Sequence, residues 1–312
     1  MKKIFLIIAA WGFMFNGCTK ENASDYLKEE ISDYSKDTYT VNAEVRFKYT
    51  IYKDLRGFDK TTVLYYFHGS EGNETAWYRS HKSIINEWRK SGRPSPVVVG
   101  ITFGERWQLF PKIPGKNKSG YLELFVNEIM PSIEKQINVK VEKRYVMGIS
   151  MGGANAAQLI FRYPELFEKG VIISPYIYPV SIFSNSKLID EFVSREYVKK
   201  PGAKRWIINK IIGDRKLKLS VYGHIYNLKR DYFPDRESWD KADIFINMKE
   251  PPRGSRLKIY ISCGYYDDYG FYPGAEKLAL KAISLEYPVT WKTLNGGHMI
   301  MNDMEVAEFL IY

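Results

Sequence analysis

Residues 143–153 read KRYVMGISMGG. Arg144–Ile149 has the β-branched, apolar character of a short buried strand, and Gly153–Phe161 (GANAAQLIF) that of a helix rich in small and apolar side chains. Between them stands Gly148-Ile149-Ser150-Met151-Gly152, a Gly-x-Ser-x-Gly. A serine on a sharp strand-to-helix turn is a nucleophile elbow. The turn is strained, so the positions two before and two after the serine must be small, and glycine also lets strand and helix approach closely. The strain lifts the hydroxyl above the sheet edge. The helix N-terminus beneath it offers N–H groups and partial positive charge to a developing oxyanion. At ordinary glycine frequency the motif alone arises by chance in about a tenth of chains of this length. The flanking strand and helix give it weight.

An elbow serine needs a base, an acid that orients the base, and a second oxyanion donor. In this arrangement the chain order is serine, then Asp or Glu, then histidine. The chain has four histidines, and only His224 and His298 follow Ser150. His298 lies in Asn295-Gly296-Gly297-His298-Met299, directly after the strand-like Pro288–Leu294 and before a helix over Asp303–Leu310. Glycines beside it let the imidazole swing over the serine, whereas His224 has no such frame. His298 is therefore the expected base. The acid should end the preceding strand, Leu257–Cys263, which runs into Gly264-Tyr265-Tyr266-Asp267-Asp268. Asp267 stands three residues beyond the glycine, where a carboxylate can reach back to the imidazole. Asp268 is the competing position. The helix around Glu276–Leu285 and one strand separate Asp267 from His298, enough chain to cross back over a parallel sheet. The strand candidate Thr62–Phe67 is followed by His68-Gly69-Ser70, which shapes the second oxyanion loop. The amides of Ser70 and Met151 are the expected oxyanion donors, with His68 a structural loop residue.

Tyr65–Ser70, Gly148–Gly153, Gly264–Asp268 and Gly297–His298 together resemble the esterase-D-type esterases of the α/β-hydrolase superfamily. That family includes feruloyl and acetyl-xylan esterases, S-formylglutathione hydrolases, siderophore (enterochelin-type) esterases and mycolyltransferases. Leu124–Glu134 is similar to the helix before the elbow strand, and Arg162–Phe167 to the helix end after it. The resemblance covers about residues 43–175 and 237–310. It implies a serine esterase whose nucleophile, acid and base are Ser150, Asp267 and His298, without metal or organic cofactor. The secretion signal and the lack of a matching substrate-cysteine neighbourhood set the chain apart from cytosolic S-formylglutathione hydrolases.

Met1-Lys2-Lys3 is a positive n-region and Ile4–Phe15 an apolar segment too short to span a bilayer. Asn16-Gly17-Cys18-Thr19 follows, a small residue before cysteine as in a bacterial lipobox. Residues 1–17 are thus expected to be a signal peptide, Cys18 the lipidated N-terminus, and residues 18–40 a polar tether to the membrane. The only other cysteine is Cys263 on a core strand, so no disulfide is available once Cys18 is acylated. The protein is expected to be exported to the cell envelope.

Residues 41–312 suit one α/β domain, a mostly parallel central sheet with helices on both faces and a helical lid insertion over 175–255. Ala43–Tyr52 is expected as an edge antiparallel strand, Pro96–Phe103 and Gly170–Ser174 as buried strands, and Thr75–Lys90, Ser119–Ile137 and Gly153–Tyr163 as helices. The net charge is +10, with 16 Lys/Arg against 10 Asp/Glu in the insertion. That basic segment is either a solvated lid or an attractor for an anionic substrate. No nucleic-acid motif accompanies it, and four scattered histidines offer no zinc spacing. Trp77, Tyr78, Trp107, Phe110 and Tyr176 are either core packing or a cleft lining that stacks sugar or phenolic rings. Trp77, Trp107 and Tyr176 are carried forward as substrate-binding candidates. The expected partner is an acylated carbohydrate or another small ester.

Overall fold

A computed structural model describes residues 34–42, 46–104, 107–116, 119–137, 140–193 and 206–312. The expected signal peptide, Cys18 and most of the expected tether lie outside the described residues. An eight-stranded sheet runs in the order β1-β2-β4-β3-β5-β6-β7-β8. The strands are β1 (Tyr34–Asn42), β2 (Arg46–Asp54), β3 (Phe58–Phe67), β4 (Ser95–Thr102), β5 (Lys143–Ile149), β6 (Lys169–Ile173), β7 (Lys258–Gly264) and β8 (Val289–Leu294). From β4 to β8 every pairing is parallel, while β1 and β2 join as antiparallel strands at one side.

Two corrections concern this antiparallel edge and the helices beside it. The outermost strand is β1, paired through nine register positions from Tyr34↔Asp54 to Asn42↔Arg46. It occupies the end of the segment expected to be tether, so the folded domain begins by residue 34. The helix expected over Thr75–Lys90 is two helices, α1 (Ala76–Ser80) and α2 (Lys82–Ser91), joined at His81.

β3 shows why the sheet is two-sided. Its side chains alternate, as strand geometry requires, and each half meets its own apolar layer. Val63, Tyr65 and Phe67 pack on one face, with Val146 and Ile172. This face is covered by α3 (Tyr121–Leu124), the π-helical turn Phe125–Ile129 and α4 (Met130–Ile137), by α5 (Met151–Arg162), and by the later helix Tyr272–Ser284. Leu64 and Tyr66 face the other layer, against Trp77, Ile84 and Trp88 of α1 and α2 and Val306 and Leu310 of the last helix, Asp303–Ile311. Trp88 Nε1 donates to the Ala307 carbonyl at 3.1 Å, tying two distant helices together beneath the sheet.

Between β6 and β7 the chain leaves the sheet as α6 (Ser186–Val193), α7 (Trp206–Asp231), α8 (Arg236–Ala242) and α9 (Ile244–Asn247). Residues 194–205 of this insertion lie outside the described residues. The insertion has its own apolar cluster, with Val221, Ile225, Leu228, Tyr232 and Phe233 packed on Phe110, Tyr178 and Phe271. The chain closes with α10 (Tyr272–Ser284) and α11 (Asp303–Ile311) flanking β8. Because β3, β5, β6, β7 and β8 are parallel, the segments following them all emerge at one rim, where sites in such sheets form.

Candidate active site

Ser150 occupies that rim between β5 and α5, at φ 58° and ψ −117°. A non-glycine residue at positive φ costs of order 1–3 kcal/mol and persists only when its surroundings impose it. They do so here. The Ser150 N–H donates to the Ile173 carbonyl at 2.9 Å, and its own carbonyl accepts from Ala154 N–H at 3.1 Å and Tyr176 N–H at 2.9 Å. The flanking glycines are equally determined. A Cβ on Gly148 would overlap the Gly152 carbonyl, and one on Gly152 would overlap the Phe67 carbonyl of β3. The motif glycines are therefore the condition for strand, turn and helix to meet.

Met151 is the first residue of α5, so its N–H is among those left without an intrahelical acceptor. The loop after β3 passes close by. A Cβ on Gly69 would stand 3.6 Å from the Ser150 Cβ, and the exposed Ser70 follows. His68 holds this loop from inside. It is 1% exposed and joins the Gly69 carbonyl through Nδ1 (2.6 Å) and the Thr102 hydroxyl through Nε2 (2.8 Å). Burial lowers its pKa, which keeps the ring neutral. With Nδ1–H donating to Gly69, Nε2 accepts from Thr102, and both ring nitrogens are used structurally.

Asp267 and His298 meet directly. The Asp267 Oδ2 lies 2.6 Å from His298 Nδ1, and both side chains are buried. The second carboxylate oxygen accepts from Tyr269 N–H at 2.8 Å and Phe271 N–H at 3.3 Å. The Cys263 thiol reaches Oδ2 at 3.7 Å. Burial, and then the Asp267 charge, push that thiol well above its ordinary pKa, so it stays protonated and able to donate. Asp268 is exposed beside the Gly297 backbone. The histidine loop is held against the end of β7 by Tyr265 N–H to Leu294 O (2.8 Å) and Tyr266 N–H to Gly296 O (3.0 Å). A Cβ on Gly264 would overlap the carbonyls of Gly296 and Gly297, so glycine there permits the close crossing.

Aromatic side chains connect the serine side of the rim to the histidine side. Tyr176, whose N–H holds the Ser150 carbonyl, packs its ring 5.0 Å from Phe271. Phe271 lies 5.4 Å from the His298 imidazole, and Tyr269 lies 4.7 Å from it, each edge-on at 66°.

Two of the three aromatic candidates are corrected. Trp77 is fully buried under the sheet, with its ring against Tyr66, His81 and Trp88. Trp107 is 1% exposed and packs on Phe67, His68 and Phe103, a prop beneath the loop after β3. Neither presents a face to a ligand. Their large apolar area is spent in the core, the commoner fate of an indole in a chain of this size. Tyr78 stacks on Tyr52, and Phe110 lies in the insertion's own cluster. Only Tyr176, half-buried, borders Ser150. Tyr269 and Phe271 were missed, although their positions two and four residues after Asp267 point to the same turn. His224, set aside for want of a glycine frame, reaches the rim from α7.

Three comparisons bear on this geometry. Residues 43–273 match the sequence model of the family described as "Putative esterase". An endo-1,4-β-xylanase/feruloyl esterase of Xylanibacter ruminicola is 27% identical over 146 residues, 45% of this chain and 20% of that protein. The match thus spans about a fifth of that relative's length. Among solved structures, a ferulic acid esterase superposes with TM-score 0.52 at 17% identity, covering 89% of this chain and 98% of the other. An esterase of Pyrobaculum calidifontis does so with TM-score 0.58 at 15% identity, covering 92% and 89%. These structural likenesses establish a common α/β-hydrolase fold.

Proposed function

The chain belongs to the esterase family, and from that premise we propose that it is an exported serine carboxylic-ester hydrolase working through an acyl-enzyme. The observation that carries the reading is the 2.6 Å contact of Asp267 with His298 Nδ1, at the rim that also holds the strained Ser150. Ser150 Oγ attacks the ester carbonyl while His298 Nε2 takes its proton. Asp267 holds the tautomer and balances the imidazolium that forms. The Met151 and Ser70 amides receive the oxyanion. Collapse of the tetrahedral intermediate expels the alcohol, which takes the proton back from His298. Water, activated by the same base, then releases the acid.

For the substrate we propose an acylated carbohydrate carrying feruloyl or acetyl groups. The named activity of the Xylanibacter relative supports this, as does the aromatic rim around Ser150. The test compares methyl ferulate, acetylated xylooligosaccharide and a catecholate lactone, the last being the ester a basic insertion would favour. Fluorophosphonate labelling of wild type but not of Ser150→Ala is expected. Wild-type inertness toward all esters, or undiminished turnover by Ser150→Ala, would refute the reading. Added sugar acceptors in the same assay separate hydrolysis from acyl transfer by the products formed. We further propose lipid attachment at Cys18, to be checked by incorporation of labelled palmitate that Cys18→Ala abolishes.

A further inference from the structure

The end of the sheet opposite Ser150 is lined with cations. Five neighbouring strands carry a basic residue at or near their starts: Arg93 just before β4, Lys60 on β3, Lys143 on β5, Lys169 on β6 and Lys258 on β7. Neighbouring strands lie about 4.8 Å apart, so the array spans roughly 20 Å. β5 runs from Lys143 at this end to Ile149 beside Ser150, which places the array about 20 Å from the catalytic rim.

The acids at this end are already engaged. Asp54 pairs with Arg89 (2.9 Å), Glu134 with Arg144 (2.6 Å), Glu142 with Lys140 (2.8 Å) and Glu168 with Arg256 (2.5 Å). Asp59 accepts from the hydroxyls of Thr61 and Thr62. Among the described residues, none of the five cations has a carboxylate at ion-pair distance. Lys169 shows the consequence. It is 7% exposed, and its ammonium donates to the Leu310 carbonyl at 3.2 Å and lies 5.0 Å over the Tyr145 ring. Lys258 stands opposite it in the register of β6 and β7. Burial, then the charges of Lys258, Lys143 and Arg93, push its pKa down to about 8 against the pull of Glu168. Such a concentration of like charge is relieved when anions approach.

Exposed apolar side chains border the array. Leu55, in the turn between β2 and β3, is 60% exposed. Tyr312 is 63% exposed, with the Arg93 guanidinium 3.9 Å from its ring centroid. Basic groups beside an exposed leucine and tyrosine suit the boundary between lipid headgroups and acyl chains. The chain before residue 34 also joins the fold here, because β1 starts opposite Asp54, the last residue of β2.

We infer that this end of the molecule is a docking face for an anionic phospholipid surface, on which the protein rests with its Ser150 rim turned away. The inference goes beyond the esterase reading and does not depend on it. A bilayer is favoured over a soluble polyanion by the exposed Leu55, and by the chain leading toward Cys18, which departs from the same end.

The test uses unacylated protein that begins at residue 18 with Cys18→Ser and so retains every described residue. Sedimentation compares its partitioning onto mixed phosphatidylglycerol–phosphatidylcholine vesicles with that onto pure phosphatidylcholine. Binding is expected to the anionic vesicles and to weaken as salt screens it, a readout that needs no variant. Lys60→Gln/Lys258→Gln, which removes two exposed charges from the array, should weaken that binding on the order of tenfold or more. Lys187→Gln/Lys218→Gln, which removes two exposed charges from the insertion, should bind as wild type does. Equal partitioning onto the two vesicle types, or no difference between the two double variants, overturns the docking face. Retention on immobilised polygalacturonate without binding to anionic vesicles also overturns it, and assigns the cations to an acidic glycan.

Discussion

Asp267 accepts from three directions at once: the imidazole of His298, two backbone amides, and the Cys263 thiol. Asp268, its neighbour in sequence, is exposed. The two positions can therefore be separated by isosteric change. Asp267→Asn is expected to lower kcat by about 10⁴, because an amide no longer holds the required tautomer. Asp268→Asn should stay within a few-fold of wild type, and steady-state kinetics on a p-nitrophenyl ester checks both. If Asp268→Asn is the damaging change, the assignment of the acid fails. Gly152 poses a different constraint. A methyl group there collides with the Phe67 backbone, which no side-chain movement relieves. Gly152→Ala should cost about 3–5 kcal/mol, the range of severe packing damage, read from urea unfolding.

At the scale of elements, the insertion depends on how its short helices begin. Asp235 caps α8: its side chain accepts from Ser238 N–H at 2.8 Å while Ser238 Oγ accepts from Asp235 N–H at 3.3 Å. This capping box directs the helix so that Trp239 lies against Phe233 and donates Nε1–H to Asp243 at 3.1 Å. Asp235→Ala should lower stability by about 0.5–2 kcal/mol, seen as a drop in Tm. Ser238→Ala should give a smaller drop, since the Asp235 carboxylate keeps its backbone donor. Equal Tm values for wild type and Asp235→Ala would show that tertiary packing alone sets this helix. On the other side of the sheet, β1 matters by its direction. Its first residue pairs with Asp54, at the end of the sheet opposite Ser150.

Over the whole molecule, two histidines are buried without counter-charge chemistry to perform. His81 is 1% exposed, holds the Tyr66 hydroxyl at 2.9 Å, and burial depresses its pKa to about 3. His68 is shifted in the same direction by burial. In the unfolded chain both take up protons near the ordinary value of 6.5. Below that pH the unfolded state binds protons the folded state refuses, so stability is full above about 6.5 and declines as pH falls toward 3. The slope reaches at most about 1.4 kcal/mol per pH unit for each histidine. Urea midpoints measured from pH 7.5 to 4.5 should fall accordingly, with a shallower decline in His81→Gln. Parallel slopes for the two proteins would contradict this account.

How much of the protein is legible in its residues follows from the range of the forces involved. The elbow was readable because its demands are local. Two glycines four apart, a β-branched run before them and a small-residue run after them already specify a tight strand-turn-helix. The order of serine, carboxylate and histidine was readable because each ends a strand of recognisable pattern. Preference for Asp267 over Asp268 came from counting residues past a glycine; in the structure Asp267 is the carboxylate 2.6 Å from His298 Nδ1. Trp77 and Trp107 were not readable in this way. An indole has the same composition in a core as in a cleft, and only the neighbours brought by distant segments decide which faces are covered. The strand Tyr34–Asn42 was hidden because its polar composition suits a solvated tether, while its backbone pairing depends on an unfilled edge of β2. The joining of His224, Tyr269 and Phe271 depended on the packing of α7 over the rim, a contact between residues more than forty positions apart. Sequence alone thus determined the elbow and the chain order of serine, carboxylate and histidine, which short-range stereochemistry dictates. The tertiary structure alone decided which aromatic rings are buried in the core and which lie beside His298 at the rim, because burial is a property of the assembled layers.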